Sequence, residues 1–175
     1  MIYEKIKGKY IYFHTFYAKN HINYNFEIEQ IRKDFLNSKV QIINADSFFN
    51  LEHIIEVLKI SLSAEERFTM VAKKIEVDFL MRIIGTNSIQ NALKKGGIKN
   101  NQYNTLIAIN NNLCHNIKMK EKITLLFGPS NDDIFFNKEE KEKKLEFFKK
   151  ELGLEFINEE SILKFLIEKS VLIYR

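Results

Sequence analysis

The run KYIYFHTFY, Lys9 to Tyr17, constrains the fold of this chain more than any other stretch. It is crowded with aromatic and β-branched side chains, which lose rotamer freedom in a helix and pack well on a pleated surface, so it reads as a strand. A strand leaves backbone N–H and C=O groups in need of partners. The chain offers four more apolar runs as strands: VQIINA from Val40, TLIAI from Thr105, ITLLF from Ile123 and SVLIY from Ser170 to Tyr174.

Between these runs the apolar spacing turns helical. Asn25 is placed to cap a helix carrying Ile28, Ile31 and Phe35, and Asp46 or Ser47 a second with Leu51, Ile54, Ile55, Leu58 and Leu62 on one face. A third covers Lys73 to Ile84 with Ile75, Phe79, Leu80 and Ile83 inward; Gly85 can take the left-handed conformation that ends it. Thr86 or Asn87 caps a short fourth with Ile89, Ala92 and Leu93, closed by Gly96 and Gly97. In NKEEKEKKLEFFKKELG, Asn137 is the cap, acids lie early, lysines late, and Gly153 follows, the polarity a helix dipole favours. Its charges read as a solvated face, with Leu145, Phe148 and Leu152 turned inward. Glu159 and Glu160 open a last helix that runs through Lys169. Strands and helices alternate without a βαβ rhythm. The expected class is α+β, a mixed, mainly antiparallel sheet packed with helices.

The chain has 175 residues, 45% apolar and 29% charged, enough for one well-buried core. With Pro129 as its one proline and no Ser/Gly-rich tract, it reads as a single domain over 1–175. Lys5, Lys7, Lys9 and Lys19 interrupt the first twenty residues, unlike a signal peptide. No uncharged apolar stretch approaches the roughly 18 residues of a spanning helix. Cys114 stands alone, which excludes an internal disulfide and a cysteine-cluster zinc site. A cytoplasmic protein off the membrane is the reading that follows. The net charge of +4 permits contact with nucleic-acid phosphates without requiring it.

Several motifs invite a chemical reading. GTNSIQNALKKGGIKNN, from Gly85, places Lys94 and Lys95 against two glycines. A phosphate loop needs glycine-rich backbone first and a helix start after it, so that free N–H groups face the anion. Here the lysines end a helix and offset its negative pole, and the stretch reads as a helix stop. His14, His21, His53 and His115 lie far apart without metal-ligand spacing, and Cys114 has no nominated base. Asp132 and Asp133 follow the Gly128-Pro129 turn, and a turn role is favoured over a cation site. No catalytic residue, metal or cofactor is expected.

The ordered set VQIINAD, Glu52-His53-Ile54, Asp78-Phe79-Leu80, Gly85, Ile89, Ala92-Leu93 and Gly97-Ile98 resembles the CGI/TPRKB-like family. That family supplies the small kinase-binding subunit of the KEOPS (EKC) complex, and the resemblance covers roughly Lys39 to the C-terminus. It implies a non-catalytic accessory subunit of a complex that places a threonylcarbamoyl group on tRNA adenosine. Such a subunit binds and stimulates an atypical kinase acting as an ATPase, meets the catalytic subunit only within the complex, and helps hold the single-stranded CCA end of tRNA. Asn87-Ser88 stand where the family has Arg-Gln, Asp78 where it has Glu, Val57 where it has a small Ala, and Gly96 where it has an aromatic. The first change removes a fixed cation, so an RNA contact made there would be weaker; either Lys94, Lys95 and Lys99 compensate or this chain leans less on RNA.

With those partners in view, clustered positive charge beside glycine backbone nominates Lys94, Lys95, Lys99 and Asn87 for tRNA, with Lys73 and Lys74 as outliers. Leu166, Leu172 and Ile173 are nominated for the kinase, as an apolar patch near the C-terminus. A stand-alone RNA-binding module and a small enzyme with unrecognised residues are the alternatives. Compactness without low-complexity tails points to an archaeal source.

Overall fold

The computed structural model describes residues 2–20, 23–153 and 158–173. It is an α+β structure that divides into two compact units, Met1–Ala45 with Gly97–Asp132 and Asp46–Gly96 with Asp133–Arg175.

The first unit is built on a four-stranded antiparallel sheet in the order β1-β2-β4-β3. The strands are β1 (Ile2–Ile6), β2 (Lys9–Tyr17), β3 (Lys39–Asn44) and β4 (Tyr103–Asn110). Three of them lie where the apolar runs predict. β1, a polar-looking IYEKI, was not anticipated; it pairs with β2 through a two-residue turn in which Lys7 (φ 47°) and Gly8 (φ 76°) are both left-handed. That geometry matches the right-handed twist of a hairpin. Strand alternation sends Tyr12 and Phe16 to a cluster with Val40, Ile42, Leu106 and Ala108. Helices α1 (Tyr24–Asp34) and α5 (Leu113–Phe127) close over it with Tyr24, Ile31, Met119 and Ile123. The neighbours that point to the opposite face, Ile11, Phe13, Thr15, Ile107 and Ile109, are buried too.

ITLLF is not a strand but the last part of α5, and this corrects the sequence expectation. Asn116, Met119 and Ile123 are buried at spacings of three and four, while Leu125 is 80% exposed. Four apolar residues and a threonine read alone fit either element; the period shows only with the polar residues upstream. Asn112 caps the helix through Cys114 N–H, and Gly128 ends it at φ 82°. Asn23, not Asn25, caps α1 by accepting from Phe26 N–H.

The second unit is helical. After a 3-10 turn at Ala45–Ser47 come α2 (Leu51–Glu66), α3 (Ile75–Ile84), α4 (Ile89–Gly96), α6 (Asp133–Phe136), α7 (Lys138–Leu152) and α8 (Glu159–Leu172). Asn50 caps α2 through His53 N–H, because Asp46 and Ser47 are spent in the 3-10 turn. Asn137 and Gly153 bound α7 as expected. Phe49, Phe148, Ile162, Leu163 and Leu166 form one apolar cluster in it, and Ile54, Leu58, Phe79 and Leu80 are buried as well. SVLIY is a second correction: Ser170, Val171 and Leu172 extend α8, and Ile173 follows as its C-cap, while Tyr174 lies outside the described residues. Burial at Ile162, Leu163, Leu166 and Ser170 keeps helical spacing to the end, and Ser170 Oγ donates back to Ile167 O at 2.7 Å.

Gly85, left-handed at φ 69°, ends α3, and the aliphatic stem of Lys169 lies across it. A Cβ there would meet the flexible end of the Lys169 side chain, which can move aside, so the left-handed backbone is what favours glycine.

The assignment of α5 has a direct test. In a strand, positions 123 and 125 would share a face; in the helix they do not. Ile123→Ala is expected to cost about 2–5 kcal/mol in urea unfolding. Leu125→Glu is expected to stay within about 0.5 kcal/mol of wild type.

Candidate functional site

The helical unit is organised around a buried ion pair. Asp78 and Arg82 stand one turn apart on α3, 0% and 3% exposed, with Nε donating to Oδ2 at 2.7 Å. The other carboxylate oxygen accepts from Val71 N–H at 2.8 Å, and Arg82 donates to Ser170 O at 3.1 Å. One cation thus joins α3 to the end of α8, and one anion joins it to the α2–α3 connection.

The nominated tRNA residues of the helical unit are solvent-facing. Lys73 and Lys74 precede α3, Asn87 lies between α3 and α4, and Lys94 and Lys95 occupy the last turn of α4, all exposed. Ser88 Oγ accepts from Asn91 N–H at 3.3 Å, so the cap expected from Thr86 or Asn87 is made one residue later. The lysines sit at the carbonyl end of α4, where they offset its dipole. Lys99 belongs to the sheet unit and is half-buried; its backbone N–H and C=O are both held by the Asn104 side chain, at 2.9 and 2.8 Å. α4 also exposes Ile89 and Leu93, while Ala92 is buried.

The nominated kinase residues separate by environment. Leu166 is 7% exposed within the apolar cluster and is a core residue. Leu172 is 53% exposed at the last position of α8, and Ile173 is half-buried as its C-cap. Val171 and Phe165, also exposed on α8, were missed; the strand reading of SVLIY concealed that Val171 and Leu172 share an outward surface.

The charges of α7 are not all solvated. Lys144 is 7% exposed; its Nζ donates to Phe48 O at 3.1 Å and lies 3.9 Å from the Phe48 ring centroid. Burial pulls its pKa down to about 8, against the opposing pull of Asp46 and Glu140. His53, 1% exposed, accepts from Phe49 N–H at Nδ1 (3.3 Å). Burial first, and the Lys144 charge second, lower its pKa to about 3. In the sheet unit His14 meets the Tyr12 hydroxyl at 2.9 Å, and burial lowers it to about 4 despite the Gly128 backbone.

Among the described residues no group of three or more His, Cys, Asp or Glu side chains lies where it could hold a metal ion. No described helix is long and apolar enough to cross a membrane. The conspicuous outward features are exposed apolar side chains beside basic ones, the makings of an α+β protein that binds partners through its surface. Comparison with protein families makes this specific. The profile of the kinase binding protein CGI-121 family matches residues 19–161, and the chain belongs to that family. No curated protein matches the chain.

The buried bases set a pH dependence. Unfolded histidine takes up a proton near 6.5, whereas His14 and His53 do so only near 4 and 3 in the fold. The unfolded chain therefore binds more protons below 6.5, and stability is expected to fall from pH 6.5 towards 4, by up to about 1.4 kcal/mol per pH unit for each group. Lys144 acts in the alkaline window. The unfolded side chain holds its proton to 10.5 and the folded one to about 8, so its contribution to stability rises with pH between them. Thermal midpoints recorded from pH 4 to 10 should show the acid fall. Lys144→Met should flatten the alkaline rise.

Proposed function

We propose that this protein is a non-catalytic accessory subunit of the KEOPS tRNA threonylcarbamoyladenosine-modification complex, binding and stimulating the atypical kinase and helping recruit tRNA by its 3′ CCA end. The family match carries this reading. Because the matched segment includes parts of both compact units, both are taken to belong to one CGI/TPRKB-like domain. The kinase is the direct partner, and the catalytic subunit is reached only through the assembled complex. The work is cytoplasmic and needs no cofactor of the chain's own.

In this reading the kinase is met by the end of α8, where Leu172 and Ile173 with the newly exposed Val171 supply apolar area; Leu166 supports that surface from within. The RNA terminus is met by Lys94 and Lys95 with Asn87, by Lys99 of the sheet unit, and by Lys73 and Lys74. Lysine ammonium groups on mobile stems neutralise phosphate without fixing base identity, which suits a terminus common to all tRNAs. Asn87 in place of the family arginine shifts more of that task to the lysines.

Copurification from the native host with a kinase and a sugar-kinase-like subunit tests the assignment. In filter binding, Lys94→Ala/Lys95→Ala/Lys99→Ala is expected to weaken tRNA about tenfold or more and to flatten the salt dependence by roughly 0.7 per lost phosphate contact. An unchanged affinity removes this surface. Leu172→Glu and Ile173→Glu are expected to remove kinase co-elution while leaving the fold intact; retained co-elution removes the α8 surface.

A further inference from the structure

The sheet unit has one edge whose outward backbone groups meet no described residue. In an antiparallel pair each residue turns its N–H and its C=O to one side, and the sides alternate along the strand. Ile6 and Lys9 flank the two-residue turn, where facing residues exchange both hydrogen bonds. Ile2, Glu4 and Ile6 therefore bond to Phe13, Ile11 and Lys9, and Tyr3 and Lys5 turn their backbone groups away from β2. Thr15 follows the same alternation. It stands on β2 past the end of β1, and its N–H and C=O on that side are taken by Ser130 Oγ at 3.1 Å and Asn131 N–H at 2.8 Å.

The opposite edge is closed. The outward carbonyls of β3 at Val40 and Ile42 accept from Arg32 Nη2 at 3.0 Å and Gln41 Nε2 at 2.9 Å, and both residues are buried. β1, by contrast, is exposed at Tyr3, Glu4 and Lys5. The Tyr3 ring stacks on Tyr12 at 5.1 Å, and the Lys5 ammonium lies 5.4 Å from the Tyr10 ring centroid. Both side chains thus lean over the sheet and leave the edge open. The β1–β2 hairpin precedes residues 19–161, so the family match does not account for it.

The edge itself selects the class of occupant. A row of alternating N–H and C=O groups is matched by another extended polypeptide, and neither a nucleic acid nor a lipid reproduces it. Charge narrows the choice. From Ile2 to Tyr10 the hairpin carries three lysines and one acid, Glu4. A second copy paired over the whole of β1 would set Tyr3 against Lys5 and Glu4 against its own counterpart. Like charges directly opposite destabilise a sheet. An acidic segment meets Lys5, with Lys7 and Lys9 next in the hairpin, without that conflict.

We propose that the outer edge of β1 is a strand-addition site, where an extended acidic segment of a protein partner joins the sheet, its backbone bonded to Tyr3 and Lys5 and a carboxylate set against the Lys5 ammonium. The inference goes beyond the kinase and tRNA surfaces above and stands independently of them.

Amide exchange of the isotope-labelled full chain, alone and with a blocked heptapeptide of alternating valine and aspartate, tests it. In the chain alone, Tyr3 and Lys5 amides should exchange about tenfold or more faster than those of Glu4 and Ile6, and saturating peptide should remove the difference. Methylating the peptide's backbone nitrogens removes its donors and keeps its carboxylates, and should abolish binding. An alternating valine–lysine peptide should bind about tenfold or more weakly. Lys5→Ala keeps the outward N–H and should weaken binding a few-fold. Lys5→Pro, tolerated at an edge position whose N–H faces solvent, should remove binding at an unchanged thermal midpoint. Equal binding of the methylated peptide reveals charge attraction without a ladder and overturns the proposal. Protection of Tyr3 and Lys5 in the peptide-free chain also overturns it: the edge is then covered already, by a second copy if sedimentation shows a dimer. No slowing of Tyr3 and Lys5 at millimolar peptide overturns it outright.

Discussion

The helical unit depends on the Asp78–Arg82 pair more than on any other single contact. Two charges removed from water are costly, and they are stable here because nearly every direction around them is used: Val71 N–H on one side, Ser170 O on the other, and each other between. Removing one partner of such a pair strands the other in a medium that cannot solvate it, a loss of about 3–5 kcal/mol. The pair sets where the α2–α3 connection turns and where the end of α8 rests. Through those two points it positions both the exposed tip of the connection and the apolar end of the last helix. An apolar pair of the same volume could fill the space but would have no reason to select one backbone N–H and one carbonyl.

The sheet unit is held by a different logic. β2 and β4 are flanked by strands and buried on both faces, so their side chains meet apolar surroundings whichever way they point. Such strands read as continuous apolar runs rather than alternating ones, as KYIYFHTFY and TLIAI do. Polar residues survive inside only by pairing. The Thr15 and Thr105 hydroxyls face each other at 3.1 Å, and Ser38, Asn110 and Asn116 form a buried relay of side-chain hydrogen bonds. These pairs resist slippage, because a one-residue shift would break each of them and turn every side chain over.

The functional picture is one of surfaces. The family assignment accounts for a partner kinase, and the exposed apolar residues at the end of α8 are the kind a partner would cover. The buried ionisable groups serve the fold. Lys144 and His53 sit at the start of the helical unit, where a carbonyl and a backbone N–H would otherwise lack partners. Their depressed pKa values record the cost of burial.

Three strands, helices α1, α2, α3, α4 and α7 with most of α8, and the α+β class were legible in the chain, whereas α5, although bounded by Asn112 and Gly128, was not. Period, capping chemistry and dipole polarity are local properties, and α7 between Asn137 and Gly153 is the clearest case. ITLLF and SVLIY were not legible, since a short apolar run satisfies a pleat or a helix equally well until its neighbours are placed. Lys144 was hidden for a related reason: one lysine among many differs only in what its helix faces. The exposure of the lysines before α3 and on α4 was legible because charge clusters along the sequence. That of Phe68, 95% exposed on the α2–α3 connection, was not, because exposure is not written in residue type. The sequence by itself determined the family, the α+β class and the basic segments, all of which are set by near neighbours along the chain. Tertiary structure alone decided which apolar residues became core and which were left in water, since that depends on contacts between segments far apart in sequence, as where Arg82 reaches Ser170.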